Sequence, residues 1–294
     1  MKKNGAFLIG GMVLSWSAYY AVSKLLVDAT GSPFAAGFLL RAAALVFLTV
    51  QLLLDRNFSC LFRQGKAAKI LLLIGLFGFL LDLFANMGYA GGSLSTGTAL
   101  LKTDVLMVNL ATVVIYRKKL YASDWLGTFV MLAGVLLVLG VNLQDMTFRA
   151  GDLFFLLSAL CVTVNAFVIK AVQRKYHTDA DMISYYNNFV VLTLFATAGA
   201  ARGELMAPPR ALWPLVLLGG LAQTGIYFFY YRNLARYEVW VVKLYLLLMP
   251  VVSCFIGVVF LHEALTARKL IGIAVVLAGA AVILLRERLH KESM

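Results

Sequence analysis

Charge is scarce in this chain. Of its 294 residues, 14% are Asp, Glu, Lys or Arg, where soluble domains carry about a quarter. With 62% hydrophobic residues and a mean hydropathy of +0.88, a water-soluble globular domain and a disordered chain are both excluded. Cysteine is scarce as well. Cys60, Cys161 and Cys254 stand far apart, which excludes a disulfide framework and a cysteine metal cluster. The histidines His177, His262 and His290 all fall at the ends of apolar runs, so no metal or cofactor is expected. Walker-type glycine loops, paired catalytic carboxylates and Ser/His/Asp arrangements are lacking, which argues against an enzyme and against ATP drive. Acidic residues are the minority, 14 against 26 Lys and Arg, for a net charge of +12. In an apolar chain that excess belongs to cytoplasmic loops, and no nucleic-acid partner is expected.

What is present is hydrophobic length. A spanning helix needs about 20 apolar residues. Ten stretches qualify, at 5–27, 33–54, 68–90, 95–116, 123–142, 150–173, 180–200, 211–231, 238–260 and 267–285. Gly91, Gly92 and Ser93 leave only a tight turn between the third and fourth. Lys2 and Lys3 before an apolar run have the form of a signal peptide, but the run is too long and the pattern recurs along the chain. The loops are short, which leaves little room for a membrane-embedded lipid-modifying enzyme, the reading from another class.

Basic residues orient the spans. With the N-terminus cytoplasmic, sixteen Lys and Arg fall on the inner side and five on the outer, and Lys24, Arg41, Lys102, Lys170 and Lys243 lie within spans. That bias places both termini inside, in a multi-pass protein of the cytoplasmic (inner) membrane.

The two halves resemble each other. Gly5 falls on Gly151 and Lys24 on Lys170 at a shift of 146. Gly127 falls on Gly272 and Gly134 on Gly279 at 145, within the matching strings LGTFVMLAGVLLVL and IGIAVVLAGAAVIL. Five spans per copy is an odd number, so the second copy enters the membrane from the opposite side. The expected fold is therefore an all-α polytopic membrane protein of ten transmembrane helices. It is built as two inverted-topology five-helix repeats, residues 1–145 and 146–294. Secondary transporters use this plan, with the substrate site at the midplane between the repeats.

Three segments carry a family resemblance: WSAYYAVSK from Trp16 to Lys24, FLLR ending at Arg41, and LMPVVSCFIGVVFLHEALTARKLIGIAVVLAGAAVILL from Leu248. The last includes Pro250 and a Leu-x-Glu element at Leu261 and Glu263. On these residues the chain resembles the drug/metabolite transporter superfamily, in its ten-helix EamA-type branch. The resemblance implies a secondary-active transporter, an exporter of a small polar metabolite, and covers essentially the whole chain. The first half departs from the pattern, with Asp104 or Val105 at the place of Pro250 and YRKKL in place of Leu-x-Glu.

Polar groups at mid-bilayer mark candidate sites, because each ionisable one costs at least about 2.5 kcal/mol unless it faces a cavity or a partner. Thr98, Lys102 and Asn109 form a polar stripe at helical spacing in the fourth span and are expected to line the cavity. Asp104, two residues from Lys102, faces elsewhere and seeks a partner such as Arg41 or Lys243. Asp82 and Asn86 share a face in the third span, with Lys24 as a partner for Asp82. Asp82 and Asp104 are the proton-coupling candidates. Trp16, Tyr19 and Tyr20, with Trp240 and Tyr245, offer an aromatic wall, and Asn165, Tyr186, Asn187 and Tyr227 offer hydrogen bonds to a substrate. Lys243 either snorkels to the inner surface or presents its charge to a substrate anion. Pro250 removes a backbone hydrogen bond and is the candidate hinge. Lysines in the cavity favour an amino acid or organic anion. An aromatic cage would instead suit a quaternary ammonium or guanidinium-like drug. The Gly127/Gly134 and Gly272/Gly279 faces suit close helix contact, within a monomer or across a homodimer.

Overall fold

A computed structural model describes residues 3–62, 67–91, 94–115, 117, 120–140, 150–205, 208–252 and 266–292. The described residues are helical, with no strand among them. The helices are α1 (Lys3–Thr30), α2 (Pro33–Leu54), α3 (Ala68–Gly91), α4 (Leu94–Leu101), α5 (Asp104–Val114) and α6 (Ala122–Val138). They continue with α7 (Ala150–Tyr176), α8 (Ala180–Ala201), α9 (Trp213–Arg236), α10 (Val239–Leu246) and α11 (Ala267–Glu292). Each of the ten apolar stretches contains a helix. Segments of α1, α2, α3, α7 and α9 are long and apolar enough to cross a membrane. Gly92, Ser93, Cys254, Leu261, His262 and Glu263 lie outside the described residues.

Local chemistry sets the helix ends. Gly31 adopts a φ of 67°, a left-handed conformation that lets α1 turn into α2 within two residues. Ser32 caps α2, its hydroxyl accepting from the N–H groups of Phe34 at 3.2 Å and Ala35 at 3.1 Å, and Pro33 supplies the first helical φ. Asp179 caps α8 through the N–H of Asp181 at 3.0 Å. At the end of α9 the Lys170 ammonium donates to Leu234 O at 2.6 Å and Tyr237 O at 2.8 Å, satisfying carbonyls that the helix leaves open.

Polarity is arranged inside-out for water and correctly for lipid. Leu14, Val46, Leu54, Leu72, Leu126 and Leu221 are among the large apolar residues on the outer surface. Arg41, Asp82, Lys102, Asp104, Asn188 and Lys243 are buried. The bundle places α9 against α1 and α2, and α3 against α7 and α8. The glycine-spaced helices α6 and α11 pack along each other within the chain. A Cβ on Gly134 would lie 2.6 Å from Val276 N, and one on Gly272 would lie 2.7 Å from Val138 N, so backbones meet where only glycine fits.

The fourth span, expected as one helix over 95–116, is broken in the middle. Lys102 N–H donates to Ala99 O at 3.1 Å and Thr103 N–H to Leu100 O at 3.1 Å, a tightening from i−4 to i−3 pairing between α4 and α5. The Thr103 hydroxyl also donates to Leu100 O at 2.7 Å, competing with the backbone for that carbonyl. The ninth span breaks at the corresponding place. Leu247 N–H donates to Leu244 O at 3.0 Å and Leu248 N–H to Tyr245 O at 3.1 Å, each 145 positions after its counterpart. There the cause is Pro250, buried and without an N–H to continue the i−4 ladder.

Candidate functional site

Six helices leave a small cavity at the centre of the bundle, about 30 Å³. That is room for about two water molecules and for no metabolite, so a substrate enters only if helices move. Trp16 and Tyr19 of α1, Arg41 of α2 and Asp82 of α3 line it, with Asn165 of α7 and Asn187 of α8. Gln223, Tyr227, Tyr230 and Tyr231 complete the lining from α9.

Arg41 and Asp82 form the first charged centre. The Arg41 Nε donates to Asp82 Oδ2 at 2.7 Å, Nη2 donates to the same oxygen, and Tyr19 OH adds a third donor at 3.0 Å. Arg41 Nη1 donates to Tyr227 OH and, at 3.5 Å, to Asn188 Oδ1. Asn188 Nδ2 in turn donates to Arg41 O at 3.0 Å. Asp82 is therefore not held by Lys24. Lys24 reaches Asp28 at 2.5 Å, one turn along its own helix, and Tyr89 O at 3.1 Å. Asp82 and Asn86 are both buried on α3, but Asn86 ties α3 to α1 and α2, accepting from Ser23 Oγ at 2.7 Å and donating to Pro33 O at 3.2 Å.

Lys243, Asp104 and Lys102 form the second centre, beside the broken helices. Lys243 is fully buried and does not snorkel, because its ammonium donates to Asp104 Oδ2 at 2.7 Å. Asp104 thus takes the second of its two expected partners. Its Oδ1 is buried and accepts no hydrogen bond from the described residues. Lys102 is 3% exposed, and among the described residues its ammonium has no carboxylate within 4 Å. Its contacts are Met249 Sδ at 2.9 Å, a weak acceptor, and the Tyr20 ring at 5.8 Å.

An aromatic partition stands between this centre and the cavity. The Trp16 ring meets Tyr20 at 5.4 Å and Tyr230 at 5.9 Å, both edge to face. Lys102 lies behind Tyr20, and Lys243 lies 5.5 Å from the Tyr230 ring. On the cavity side four polar atoms are buried and, among the described residues, without a hydrogen-bond partner: Trp16 Nε1, the Tyr230 hydroxyl, Asn165 Oδ1 and Asn187 Oδ1. Leaving such groups unpaired costs about 1–3 kcal/mol each. One N–H donor, two acceptors and a hydroxyl that can do either therefore border a space that a polar solute can fill.

The fold brings together Trp16, Asp82, Asn165, Asn187 and Tyr227 of the expected site residues on the cavity, with Tyr20, Lys102, Asp104 and Lys243 just behind it. Asn109 stands apart, donating to Thr128 Oγ1 of α6 at 3.1 Å. Tyr186 also points away, its hydroxyl donating to Leu61 O at 2.8 Å. The side chain of Thr98 lies outside the described residues. Pro250 sits just past the second break. The expected set leaves out Arg41, Gln223, Tyr230 and Tyr231. Arg41 carried a signal: it is a charge within a span, and it falls opposite Asn187 at the 146 shift. Among the described residues no group of three His, Cys, Asp or Glu is placed to hold a metal ion.

A model of the EamA-like transporter family matches the chain twice, over residues 3–140 and 149–285. A solved crystal structure is similar in fold, with a TM-score of 0.74 and 21% sequence identity over 95% of this chain and 98% of the other. No curated protein matches significantly. The chain belongs to the EamA-like transporter family, and so to the membrane transporters of the drug/metabolite superfamily.

Proposed function

We propose that this EamA-like transporter is a secondary-active exporter of a small polar metabolite bearing a carboxylate, an amino acid or an organic anion. It resides in the cytoplasmic membrane with both termini inside, and its halves, 1–145 and 146–294, are inverted repeats. The observation that carries the substrate class is Lys102. Among the described residues, two buried cations have buried carboxylates, and Lys102 is the cation left over. A buried charge without a counter-ion is costly unless a partner arrives, and a substrate carboxylate is that partner. Its ammonium or hydroxyl groups find Asn165 and Asn187, and Trp16 Nε1 supplies a donor. Each of the three tyrosine faces, Tyr20, Tyr227 and Tyr230, already lies within 6 Å of a cation of the chain. That leaves a quaternary ammonium little to bind.

The proposed mechanism is alternating access. The paired breaks at Lys102–Thr103 and Leu247–Leu248 support it, since symmetric hinges let two symmetric halves exchange shapes at similar energy. Movement there turns the Trp16, Tyr20 and Tyr230 partition and opens Lys102 to the cavity. Pro250 is the hinge of the second half. A monomer suffices, because α6 and α11 bury their glycine faces on each other. Proton coupling is assigned to Asp104, whose Oδ1 has an open acceptor position.

Uptake into proteoliposomes tests the reading. Saturable, counterflow-competent flux of a carboxylate solute is expected, and unsaturable flux contradicts alternating access. Asp104→Asn is expected to abolish the response to a pH gradient. If both Asp104→Asn and Asp82→Asn leave that response intact, coupling to protons is discarded.

A further inference from the structure

Where α5 and α7 end and α10 begins, a second cavity of about 260 Å³ opens, sharing no lining residue with the central one. Its charged lining is Lys170, Arg174 and Lys175 of α7, against Glu238 before α10. Phe167 and Val239 give it an apolar wall, and Thr112 of α5 closes it from the first half of the chain. Arg117, exposed, follows the end of α5 at the same end of the bundle. We propose that this cavity is a binding site for a phosphate-bearing anion, either the headgroup of an anionic lipid or a free phosphate monoester.

Three observations support the assignment. The first is charge: three cations face one carboxylate, so an anion is attracted and a cation is repelled. The second is availability. Arg174 is exposed and, among the described residues, makes no ion pair or hydrogen bond, so its five donors are open. A guanidinium presents those donors in a planar fork that matches phosphate oxygens. Lys175 is also exposed, and its ammonium rests 5.3 Å from the Tyr176 ring, with no carboxylate partner among the described residues. The third is size and lining. The volume falls just below the range of about 300–1,000 Å³ for whole drug-sized ligands, which suits a headgroup with a glycerol stem along Phe167 and Val239. Basic pockets between helices near the cytoplasmic face recognise lipid headgroups by this chemistry. A ligand here would touch α5 from one half and α7 from the other, and so would bear on their relative movement.

The test measures binding to the detergent-purified, full-length protein with three probes: dihexanoyl phosphatidylglycerol, dihexanoyl phosphatidylcholine and glycerol 3-phosphate. Phosphatidylglycerol is expected to bind, and phosphatidylcholine much more weakly. Arg174→Gln with Lys175→Gln is expected to weaken binding about thirtyfold, from about 1 kcal/mol per basic residue near an anionic surface. Arg174→Lys with Lys175→Arg keeps the charge and is expected to retain binding. Glycerol 3-phosphate binding with the same variant dependence assigns the site to free phosphates, and its failure beside retained phosphatidylglycerol binding assigns it to lipid. No binding of either anion, equal binding of phosphatidylcholine, or full binding by the double glutamine variant overturns the proposal. Both residues are exposed on the last turn of α7, so folding is expected to be unaffected.

Discussion

Asp82 and Asp104 are both buried carboxylates near the centre of the same bundle, but they are clothed very differently. One oxygen of Asp82 accepts from two nitrogens of Arg41 and from Tyr19, and the far side of Arg41 is held by Tyr227 and Asn188. Among the described residues, Asp104 has a single donor, Lys243, on one oxygen and none on the other, while Lys102 nearby leans on a thioether. Burying an ion pair is offset only when geometry and further hydrogen bonds satisfy both ions. The first centre meets that condition and behaves as structure. The second does not, and it sits where α4 breaks into α5. A centre left incomplete beside a hinge can be completed in turn by a proton or a carboxylate, so the incompleteness is the functional feature.

The largest expected effect comes from breaking the complete centre. Asp82→Ala leaves Arg41 buried and unpaired, and thermal unfolding in detergent is expected to show a loss of about 3–5 kcal/mol. A loss as small as that of an exposed site would mean that the two centres are not different in kind.

Removing the donor at the incomplete centre should cost less. Lys243→Ala leaves Asp104 near Lys102, which can swing to it, so the expected loss is about 1–3 kcal/mol. A cost equal to that of Asp82→Ala would show that Lys102 cannot substitute.

Lys102→Met sharpens the contrast most, because the two readouts move in opposite directions. An apolar side chain of similar length relieves the unpaired charge, so stability is expected to hold or rise by about 1 kcal/mol. Transport of carboxylate solutes is expected to fall at least about tenfold, the loss of roughly 1.4 kcal/mol of binding. Falling stability would make Lys102 a structural residue like Arg41.

The smallest effect is expected far from both centres. Glu204, half-buried in the turn after α8, accepts from Ser32 at 2.5 Å and from Arg202 at 2.7 Å. The Ser32 hydrogen bond, then the Arg202 one, hold its carboxyl below its ordinary value of 4.5. Its folded value is lower than its unfolded one, so its contribution is present above about pH 4.5 and is lost as pH falls through the folded value. Ser32→Ala is expected to shrink that acid-side dependence and to cost about 1 kcal/mol through the lost cap, visible in melts between pH 3 and 6.

Much of this architecture is legible in the sequence. Apolar runs of spanning length give the helices, because in lipid a helix alone satisfies its own backbone. The glycine spacing of 127/134 and 272/279 marks the α6–α11 contact, since close backbone approach has few solutions. Pro250 announces its break, because a missing N–H is a local fact. The break at Lys102 has no such marker. Thr103 takes a carbonyl that a helix would otherwise use, and threonine does so only in some settings. Pairing across helices is harder still. Charges within spans identify Arg41, Asp82, Lys102, Asp104 and Lys243 as a set. Which of them meet depends on helix rotation, so Asp82 found Arg41 and not Lys24. Asn109 fits the polar stripe of its helix, yet its stripe turns toward Thr128 and away from the cavity.

The most direct test of the central claim is ligand-induced thermal stabilisation of wild type and Lys102→Met, using amino acids, the amines that lack their carboxylates, and quaternary ammoniums. A ligand at 100 times its dissociation constant should stabilise by about 2.7 kcal/mol. The account predicts stabilisation by an amino acid or organic acid in wild type, its loss in Lys102→Met, and no response to the amines. Stabilisation by an amine or a quaternary ammonium, retained in Lys102→Met, would contradict it and make Asp82 or Asp104 the substrate contact.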